Sequence, residues 1–409
     1  MKKNLSIALV SSYPFTQEPG GVKDFILGLR QSLEKSGCKV YIIAPGSKDA
    51  QKKGLVDFVL GIDFKISTDQ TEFRASLSRK KTAKKILEII QPDVIVIHEP
   101  FVPSIGHTII STLINSKDRR VRPIIVGQFH ARREDLNWKF KVAEFIVRHF
   151  IRRPKLNRKT ILSLSSGYVS TINSNLDGRI AVSEASKKFW QKILPADYKV
   201  IYNGIDTKKL TANGPRINNW MKDGKKIIFF AGRHDPRKGI DDLIKAFSIL
   251  VLDGNDNIKL KIAGKGKMTE ILQKRVRELK LQKLVEFVGI MPYTKLIQAY
   301  RTADLVVAPS TAGEGFNRTI IEARSCGTLV VCTDIEGHQE AIGKDLFPFM
   351  AKPQDPRGLA HQIMAVLNLS EAKKQEIRKL GREDVKSHFS WDIIAKEHLA
   401  YYKSLIFKR

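Results

Sequence analysis

Two acidic residues, Glu314 and Glu322, bracket the segment EGFNRTIIE, which predicts a loop followed by the first turns of a helix. A carboxylate in such a loop can accept hydrogen bonds from sugar hydroxyls, and the second carboxylate can hold the diol of a ribose. The same pattern fits two acids that a helix dipole favours, a contribution of less than about 1 kcal/mol each. The pair alone leaves both interpretations open.

Two cations, Arg233 and Lys238, lie in the segment GRHDPRKG (232–239), directly after a predicted strand. There they can clamp a diphosphate and neutralise a departing nucleoside diphosphate. The alternative is a solvated basic turn. Ligands of open parallel sheets bind at the carboxyl ends of strands, and this position favours the functional interpretation.

Glycines and histidines follow other predicted strands. Gly20 and Gly21 precede a predicted helix, where the backbone can approach an anionic group, although a simple loop is the more common reason for such a pair. His130 ends the strand PIIVGQFH, where an imidazole can bond a sugar or a phosphate, or can be merely structural. His98 closes the previous strand, and we favour a structural role for it.

The elements that position these residues are short runs rich in β-branched residues, which alternate with longer helical patterns. Near-continuous apolar strands separated by helices predict parallel sheets covered on both faces. The predicted strands are 5–10, 39–44, 93–98, 123–130, 179–182, 200–202, 226–231, 259–263, 285–288, 304–308 and 328–332.

The stretch 203–225 is polar and has neither a strand nor a helix period, which predicts a linker. We therefore expect an α/β protein of two Rossmann-like, doubly wound domains that face a cleft, an acceptor domain over 1–202 and a donor domain over 203–389. Ser390 is a suitable N-cap for a last amphipathic helix. We expect this helix, 390–409, to pack back on the first domain.

The composition narrows the classes of function. The 409 residues include 71 Lys and Arg against 42 Asp and Glu, a net charge of +29, which attracts an anionic partner. Nucleic-acid binding would need cations interleaved with stacking aromatics or a recognisable module, and neither is evident. A basic nucleic-acid-binding protein is therefore a remote alternative, and we expect no nucleic-acid partner.

The three cysteines form no CxxC pair, which argues against a disulfide framework and a structural zinc site and fits the cytosol. The apolar run after the first residues is too short for a secretion signal. No run of 18 apolar residues occurs, so we expect membrane contact to be peripheral.

Taken in order, these segments resemble the retaining glycosyltransferases of family 4, which have the GT-B fold of two Rossmann-like domains. The resemblance covers essentially the whole chain. Besides the two glutamates, it rests on ADLVVAPS (303–310), CGTLVVCTD (326–334), GRHDPRKG (232–239), NGID (203–206), RIAVS (179–183) and FSW (389–391). PGGV (19–22), HEPFVPS (98–104) and QFH (128–130) look most similar to the phosphatidylinositol mannosyltransferases, which move mannose from GDP-mannose to an inositol lipid.

The resemblance implies a role for each matched residue. The donor-binding residues it implies are Gly20, Gly21, Arg233, Lys238, Glu314, Gly315, Phe316, Asn317 and Glu322. Among them, Gly21 would contact the donor phosphate, Arg233 and Lys238 the diphosphate, Glu314 the sugar and Glu322 the ribose. The implied catalytic residues are His130, Glu314, Arg233 and Lys238, and the implied acceptor contacts are Arg74 and His130.

The chain departs from the family pattern at Asn317, where the family usually has a glycine. The family pattern therefore does not determine the backbone geometry around the donor at this position. In 51–78, where acceptor contacts are expected, no segment matches the family.

The resemblance thus implies a cytoplasmic enzyme, peripheral on the inner face of the cell membrane, that transfers mannose from GDP-mannose to a phosphoinositol-type lipid. The nucleotide-sugar is its substrate and no cofactor is required; a divalent cation is compatible with the pattern, but no Asp-x-Asp metal dyad is visible. The alternatives are another nucleotide-sugar with a soluble or polyprenol-linked glycan acceptor, as in surface polysaccharide synthesis, and a nucleotide-sugar epimerase.

The stretch 132–159 is strongly basic, with ten basic and three acidic residues and a net charge of +7. If residues 137–152 form a helix, Lys141, Arg148 and Arg152 line up on one narrow side and apolar side chains cover most of the rest. This pattern fits a buried helix and an interfacial helix about equally. The flanking cations favour anionic lipid, at about 1 kcal/mol per basic residue near the surface.

We predict that the protein sediments with anionic but not with zwitterionic vesicles, and that salt releases it, because the attraction is electrostatic. Replacing Arg148, Arg152, Arg153 and Lys155 by Gln should reduce the bound fraction in the same co-sedimentation measurement. Equal binding to both kinds of vesicle, or no effect of the quadruple substitution, would assign the excess charge to another role.

Overall fold

The structure is a computed structural model that describes residues 4–15, 20–46, 48–67, 72–102, 104–114, 122–130, 169–343 and 349–409. The predicted basic helix 137–152 and its flanking cations lie outside the described residues, as does the side chain of Arg74. The chain divides into two compact units. Each unit is built on its own sheet.

The first unit comprises Met1–Gly204 and Trp391–Arg409. Its described strands are β1 (Ser6–Ser11), β2 (Lys39–Ala44), β3 (Phe58–Val59), β4 (Ile62–Ser67), β5 (Glu72–Leu77), β6 (Val94–His98), β7 (Ile124–Phe129), β8 (Gly178–Ala181) and β9 (Lys199–Val200). Seven of these strands form a parallel sheet in the order β3-β2-β1-β6-β7-β8-β9. The other two pair as an antiparallel hairpin, β4-β5.

Helices cover both faces of this sheet, because its strands are apolar on both sides. The helices described in this part of the chain are α1 (Gly21–Lys35), α2 (Lys48–Lys52), α3 (Lys80–Ile90), α4 (Ile105–Leu113) and α5 (Glu184–Ile193). Helices α3, α4 and α5 pack on the face that carries Ile95, Ile97 and Phe129. Helices α1 and α2 pack on the opposite face, with Val94 and Val96.

The second unit comprises Ile205–Ser390. Its described strands are β10 (Lys226–Ala231), β11 (Ile258–Ala263), β12 (Val285–Gly289), β13 (Leu305–Ala308), β14 (Leu329–Thr333) and β15 (Met350–Ala351). They form a parallel sheet in the order β12-β11-β10-β13-β14-β15. The strand order therefore reverses between β10 and β13, which is where open α/β sheets form a crevice at the strands' carboxyl ends.

The helices of the second unit alternate with its strands. Those described are α6 (Ile240–Leu252), α7 (Thr269–Glu278), α8 (Tyr293–Thr302), α9 (Arg318–Ser325), α10 (Glu336–Ile342), α11 (Pro356–Leu367) and α12 (Glu371–His388). Capping residues in the local sequence determine where several of these helices begin. In α11, for example, Pro356 occupies the first turn and Asp355 accepts a hydrogen bond from the Gly358 N–H at 2.9 Å.

The last helix, α13 (Trp391–Phe407), belongs to the first unit and packs against α1. Its buried side chains join the apolar layer on the α1 face of the sheet. Gly28 and Gly204 make room for the indole of Trp391, because a Cβ atom at Gly28 would lie 2.2 Å from that ring and one at Gly204 2.3 Å from it. These two glycines are needed because the indole of Trp391 lies close to their backbone, and neither has a left-handed backbone conformation.

The expected pair of Rossmann-like α/β folds with parallel sheets is confirmed. The strand expected at 200–202 lies at 199–200, and four short or edge elements were not expected: β3, β4, β5 and β15. The hairpin β4-β5 occupies part of the stretch 51–78, in which no segment matches the family.

Candidate active site

Two residues expected in the site, Lys238 and Glu314, form an ion pair in the second unit. The Lys238 ammonium donates to Glu314 Oε1 at 2.5 Å, and the Ser310 hydroxyl donates to the same oxygen at 3.1 Å. Lys238 follows β10 and Glu314 follows β13, two neighbouring strands of one sheet. The sheet therefore brings the expected diphosphate cation and the expected sugar carboxylate into contact.

The two loops that carry this pair are locked together by backbone contacts. The Thr311 N–H donates to the Arg237 carbonyl at 2.8 Å. Gly239 has a φ of 63°, and a Cβ atom there would lie 1.9 Å from the Pro309 carbonyl oxygen. Only glycine combines this left-handed conformation with so close an approach. Gly239 thus fixes the distance between the two loops.

Glu314 is held as a carboxylate although most of its side chain is buried. Burial alone would raise the pKa of Glu314, but the Lys238 charge, the proximity of His338 and the hydrogen bonds from Lys238 and Ser310 outweigh it and lower the pKa below its ordinary value. Burial lowers the pKa of His338 to about 4. At neutral pH the carboxylate is therefore charged and this imidazole is neutral.

His338 connects the loop around Glu314 to β14. Its Nδ1 lies 3.0 Å from the Thr333 carbonyl, which can only accept, so the proton of this neutral ring lies on Nδ1. Its Nε2 then accepts from the Asn317 side-chain amide at 2.9 Å. Asn317 also caps α9, because its Oδ1 accepts from the Thr319 N–H at 3.1 Å.

These contacts explain how Asn317 stands where the family usually has a glycine. Its φ of −99° is an extended conformation that any residue adopts without strain. Glycine is needed instead at Gly337, where a Cβ atom would lie 2.3 Å from the Glu314 carbonyl oxygen. Next to Asn317, Phe316 is buried and packs on Phe389 with ring centroids 5.5 Å apart.

Glu322 lies deeper than its sequence position suggested. We expected a carboxylate in a loop and first-turn site, but its side chain is only 7% exposed. Tyr300 donates to one carboxylate oxygen at 3.1 Å and Arg318 to the other at 3.1 Å. Replacing Glu322 therefore also disturbs buried packing.

The turn 232–239 contains cations of two kinds. Arg237 Nε lies 3.3 Å from Asp235, which pairs its charge. The Arg233 side chain is exposed and makes no hydrogen bond or ion pair among the described residues, although its charge helps to lower the pKa of Asp235. Its guanidinium can therefore donate to an anionic ligand. The loop after β11 adds exposed Lys265 to the same edge of the sheet. The segment GKGK (264–267), directly after a strand, is the sequence signal that would have identified Lys265.

Gly315, expected at the donor, is buried in the second unit. The other expected residues lie in the first unit. Gly20 and Gly21 begin α1, and Gly20 caps it without a side-chain hydrogen bond. No described residue would lie within 4 Å of a Cβ atom at Gly21. His130 follows β7, and its Nε2 lies 2.9 Å from Nδ1 of His98.

Among the described residues, no group of three or more His, Cys, Asp or Glu side chains could hold a metal ion. None of the described helices is long and apolar enough to cross a membrane. Cys38, Cys326 and Cys332 are free thiols.

Solved structures share this architecture over nearly the whole chain. A glycosyltransferase from Rickettsia africae has a TM-score of 0.71 at 19% identity, covering 98% of this chain and 99% of that one. The Anabaena HepE protein in complex with UDP has a TM-score of 0.73 at 18% identity, covering 98% and 100%. These likenesses show the fold, which is GT-B.

Family models match both units. The model described as Glycosyltransferase Family 4 matches residues 19–209, and the model described as Glycosyl transferases group 1 matches residues 216–384. The protein is thus a glycosyltransferase, as expected, and it belongs to family 4. It is similar to the phosphatidyl-myo-inositol mannosyltransferase of Mycolicibacterium smegmatis, with 24% identity over 408 residues, 98% of this chain and 94% of that protein.

We predict that Lys238→Met inverts the pH dependence of stability that Glu314 contributes. In the wild type, this contribution is present above the unfolded pKa of about 4.3 and is lost as the pH falls through the lower folded pKa. Without the cation, burial raises the pKa of Glu314, so ionising it destabilises the folded state. The free energy of unfolding should then fall by about 2 kcal/mol between pH 4 and pH 7.

Urea unfolding at several pH values measures this effect, and the double variant Lys238→Met with Glu314→Gln is the matched control. It carries no ionisable group at 314, so its stability should lack the fall. A Lys238→Met profile identical to that of the wild type would mean that other groups keep Glu314 ionised.

Proposed function

We propose that this glycosyltransferase moves mannose from GDP-mannose to a phosphoinositol-type lipid, with retention of the anomeric configuration. The proposal places it as a peripheral enzyme on the cytoplasmic face of the cell membrane. Two observations support it. A relative that spans the whole chain carries the name phosphatidyl-myo-inositol mannosyltransferase, and the net charge of +29 suits an anionic lipid surface.

The contact between Lys238 and Glu314 is the observation that carries the proposed donor chemistry. A nucleotide-sugar presents an anionic diphosphate next to a sugar rich in hydroxyls. A cation and a carboxylate 2.5 Å apart suit the junction between those two groups. Lys238 would turn to a phosphate oxygen, and the Glu314 carboxylate would accept hydrogen bonds from sugar hydroxyls.

Charge stabilisation is the main contribution that these side chains would make. As the bond from the anomeric carbon to the diphosphate breaks, negative charge grows on the leaving phosphate, and Lys238 and Arg233 would stabilise it. Glu322 would hold the ribose diol. The backbone at Gly20 and Gly21 would approach the donor phosphate. The nucleotide-sugar is a substrate of the proposed reaction, which requires no cofactor.

The acceptor would bind the first unit in this proposal. His130 would contact the transferring sugar near the acceptor, and Arg74 would contact the acceptor phosphate. The backbone around Gly315, Phe316 and Asn317 would line the sugar of the donor.

A second candidate is a family 4 transferase that uses another nucleotide-sugar and a soluble or polyprenol-linked glycan acceptor. It is favoured by the fold neighbour from Anabaena, whose structures hold UDP and UDP-glucose. Donor and acceptor therefore have to be tested separately.

We predict GDP release from GDP-mannose that depends on vesicles containing phosphatidylinositol, measured against a panel of UDP-, ADP- and GDP-sugars with and without lipid. Glu314→Gln should lower turnover by about one to two orders of magnitude, because a charged hydrogen bond is lost. Glu376→Gln, an exposed acid on α12 paired with Lys373, is the control and should keep wild-type turnover. Turnover with another donor, or without lipid, would favour the second candidate.

We also predict that Arg233→Ala and Lys238→Ala each weaken binding of GDP itself by about tenfold or more, because both cations contact the diphosphate. Glu314→Gln should weaken GDP-mannose but not GDP. Calorimetry measures both ligands. Arg237→Ala is the matched control, since Asp235 already pairs that charge. An equal loss of GDP affinity in Arg237→Ala would mean that the net positive charge of the turn, and not a specific contact, causes the effect.

A further inference from the structure

Contacts of both its backbone and its ring hold His130 at the end of β7. Its backbone N–H donates to Glu99 Oε1 at 2.8 Å. Its ring meets the ring of His98 edge to edge: Nε2 of His130 lies 2.9 Å from Nδ1 of His98, the centroids are 5.2 Å apart and the planes are inclined by 23°. The ring of Phe25 packs edge-on against it, with centroids 4.8 Å apart. Both the backbone and the ring orientation of His130 are therefore fixed.

His98 and Glu99 form a corner at the end of β6, and both residues contact His130 from there. Glu99 is buried and has a φ of 57°, a left-handed conformation that a non-glycine residue adopts at a cost. The Ser12 hydroxyl donates to the His98 carbonyl at 2.6 Å and lies 2.9 Å from the Ser104 hydroxyl. This buried network holds the strained corner in place.

The His98 ring is neutral at neutral pH. Burial, followed by the proximity of His130 and His398, keeps the pKa of His98 well below its ordinary value. A neutral imidazole carries one N–H and one lone pair. The contact with His130 uses Nδ1, so the position of the single proton decides which ring donates.

The surroundings of His98 Nε2 decide the position of that proton. This nitrogen is buried and has no hydrogen-bond partner among the described residues. A proton on it would be a buried donor without an acceptor, and orphaned donors are rarer than orphaned acceptors in folded proteins. The favoured arrangement has the proton on Nδ1, from which His98 donates to Nε2 of His130.

We propose that His98 is a positioning residue that donates from Nδ1 to His130 and so fixes His130 in the tautomer that is protonated on Nδ1. In this tautomer Nδ1 of His130 carries the N–H, and Nε2 carries the lone pair that accepts from His98. Its Nε2 is occupied by His98 and does not act as a base. The inference rests on the proposed place of His130 in the active site.

The tautomer can be measured without any substrate by NMR of protein with ¹⁵N-labelled histidine, the His130 signals being assigned through His130→Asn. We expect a protonated Nδ1 and an unprotonated Nε2 on His130 in the wild type. His98→Asn should preserve this state, since its side-chain amide can donate from nearly the same place. His98→Leu should give a mixture of tautomers.

Kinetics with the donor and acceptor found in the panel assay supply the second readout. His98→Leu should lower kcat by about tenfold with little change in KM for the donor, and His98→Asn should restore most of it. The control is His107→Leu, which removes a partly buried imidazole from α4 on the opposite face of the sheet and should leave kcat unchanged.

A proton on Nε2 of His130 in the wild type would overturn the proposal, as would equal kcat values for His98→Leu and His98→Asn. The NMR result does not depend on which sugar is transferred. A failure of the proposed mannosyl transfer therefore leaves the assignment of the tautomer standing, and a wrong tautomer leaves the proposed transfer standing.

Discussion

The parallel direction of the strands in the two large sheets is the constraint on which the candidate site depends. Every loop that leaves a parallel strand emerges at the same edge of its sheet. Residues far apart in sequence, such as Lys238 and Glu314, meet because β10 and β13 are neighbours with their carboxyl ends aligned. The same geometry places His98 beside His130 at the ends of β6 and β7. Residues that are distant in sequence are thus neighbours at the carboxyl edge of each sheet.

In the second unit, Lys238 and Glu314 balance each other's charge before any ligand binds. A buried ion pair such as Lys238 with Glu314 gains little net stability, because both groups lose hydration, but removing one partner leaves an uncompensated charge. The pair keeps the carboxylate ionised in a largely buried position. Arg233, which lies in the same turn 232–239 as Lys238 and is exposed, leaves a cation available in that turn. A ligand with an anionic and a hydroxylated part can therefore replace the internal contact with two contacts of its own.

Sequence patterns were sufficient where the structure is determined locally. Apolar runs predicted the central strands, and residues that follow those strands proved to be neighbours, as Lys238 and Glu314 show. The hairpin β4-β5 was not predicted, because neither of its strands belongs to the covered parallel sheet that gave the other strands their signature. The burial of Glu322 depends on Tyr300, which lies on another helix. Such tertiary partners leave no mark on local periodicity.

Each unit uses a buried, neutral imidazole to hold a polar residue that the proposed reaction needs. In the second unit, His338 donates to β14 and accepts from Asn317, which caps α9 beside the Glu314 loop. In the first unit, His98 at the end of β6 contacts His130, which follows β7. Burial keeps both rings uncharged, so they orient their neighbours without adding charge. At neutral pH the charges of the proposed donor site are then those of Lys238, Arg233 and Glu314, and the neutral imidazole of His338 holds the loop that carries Glu314.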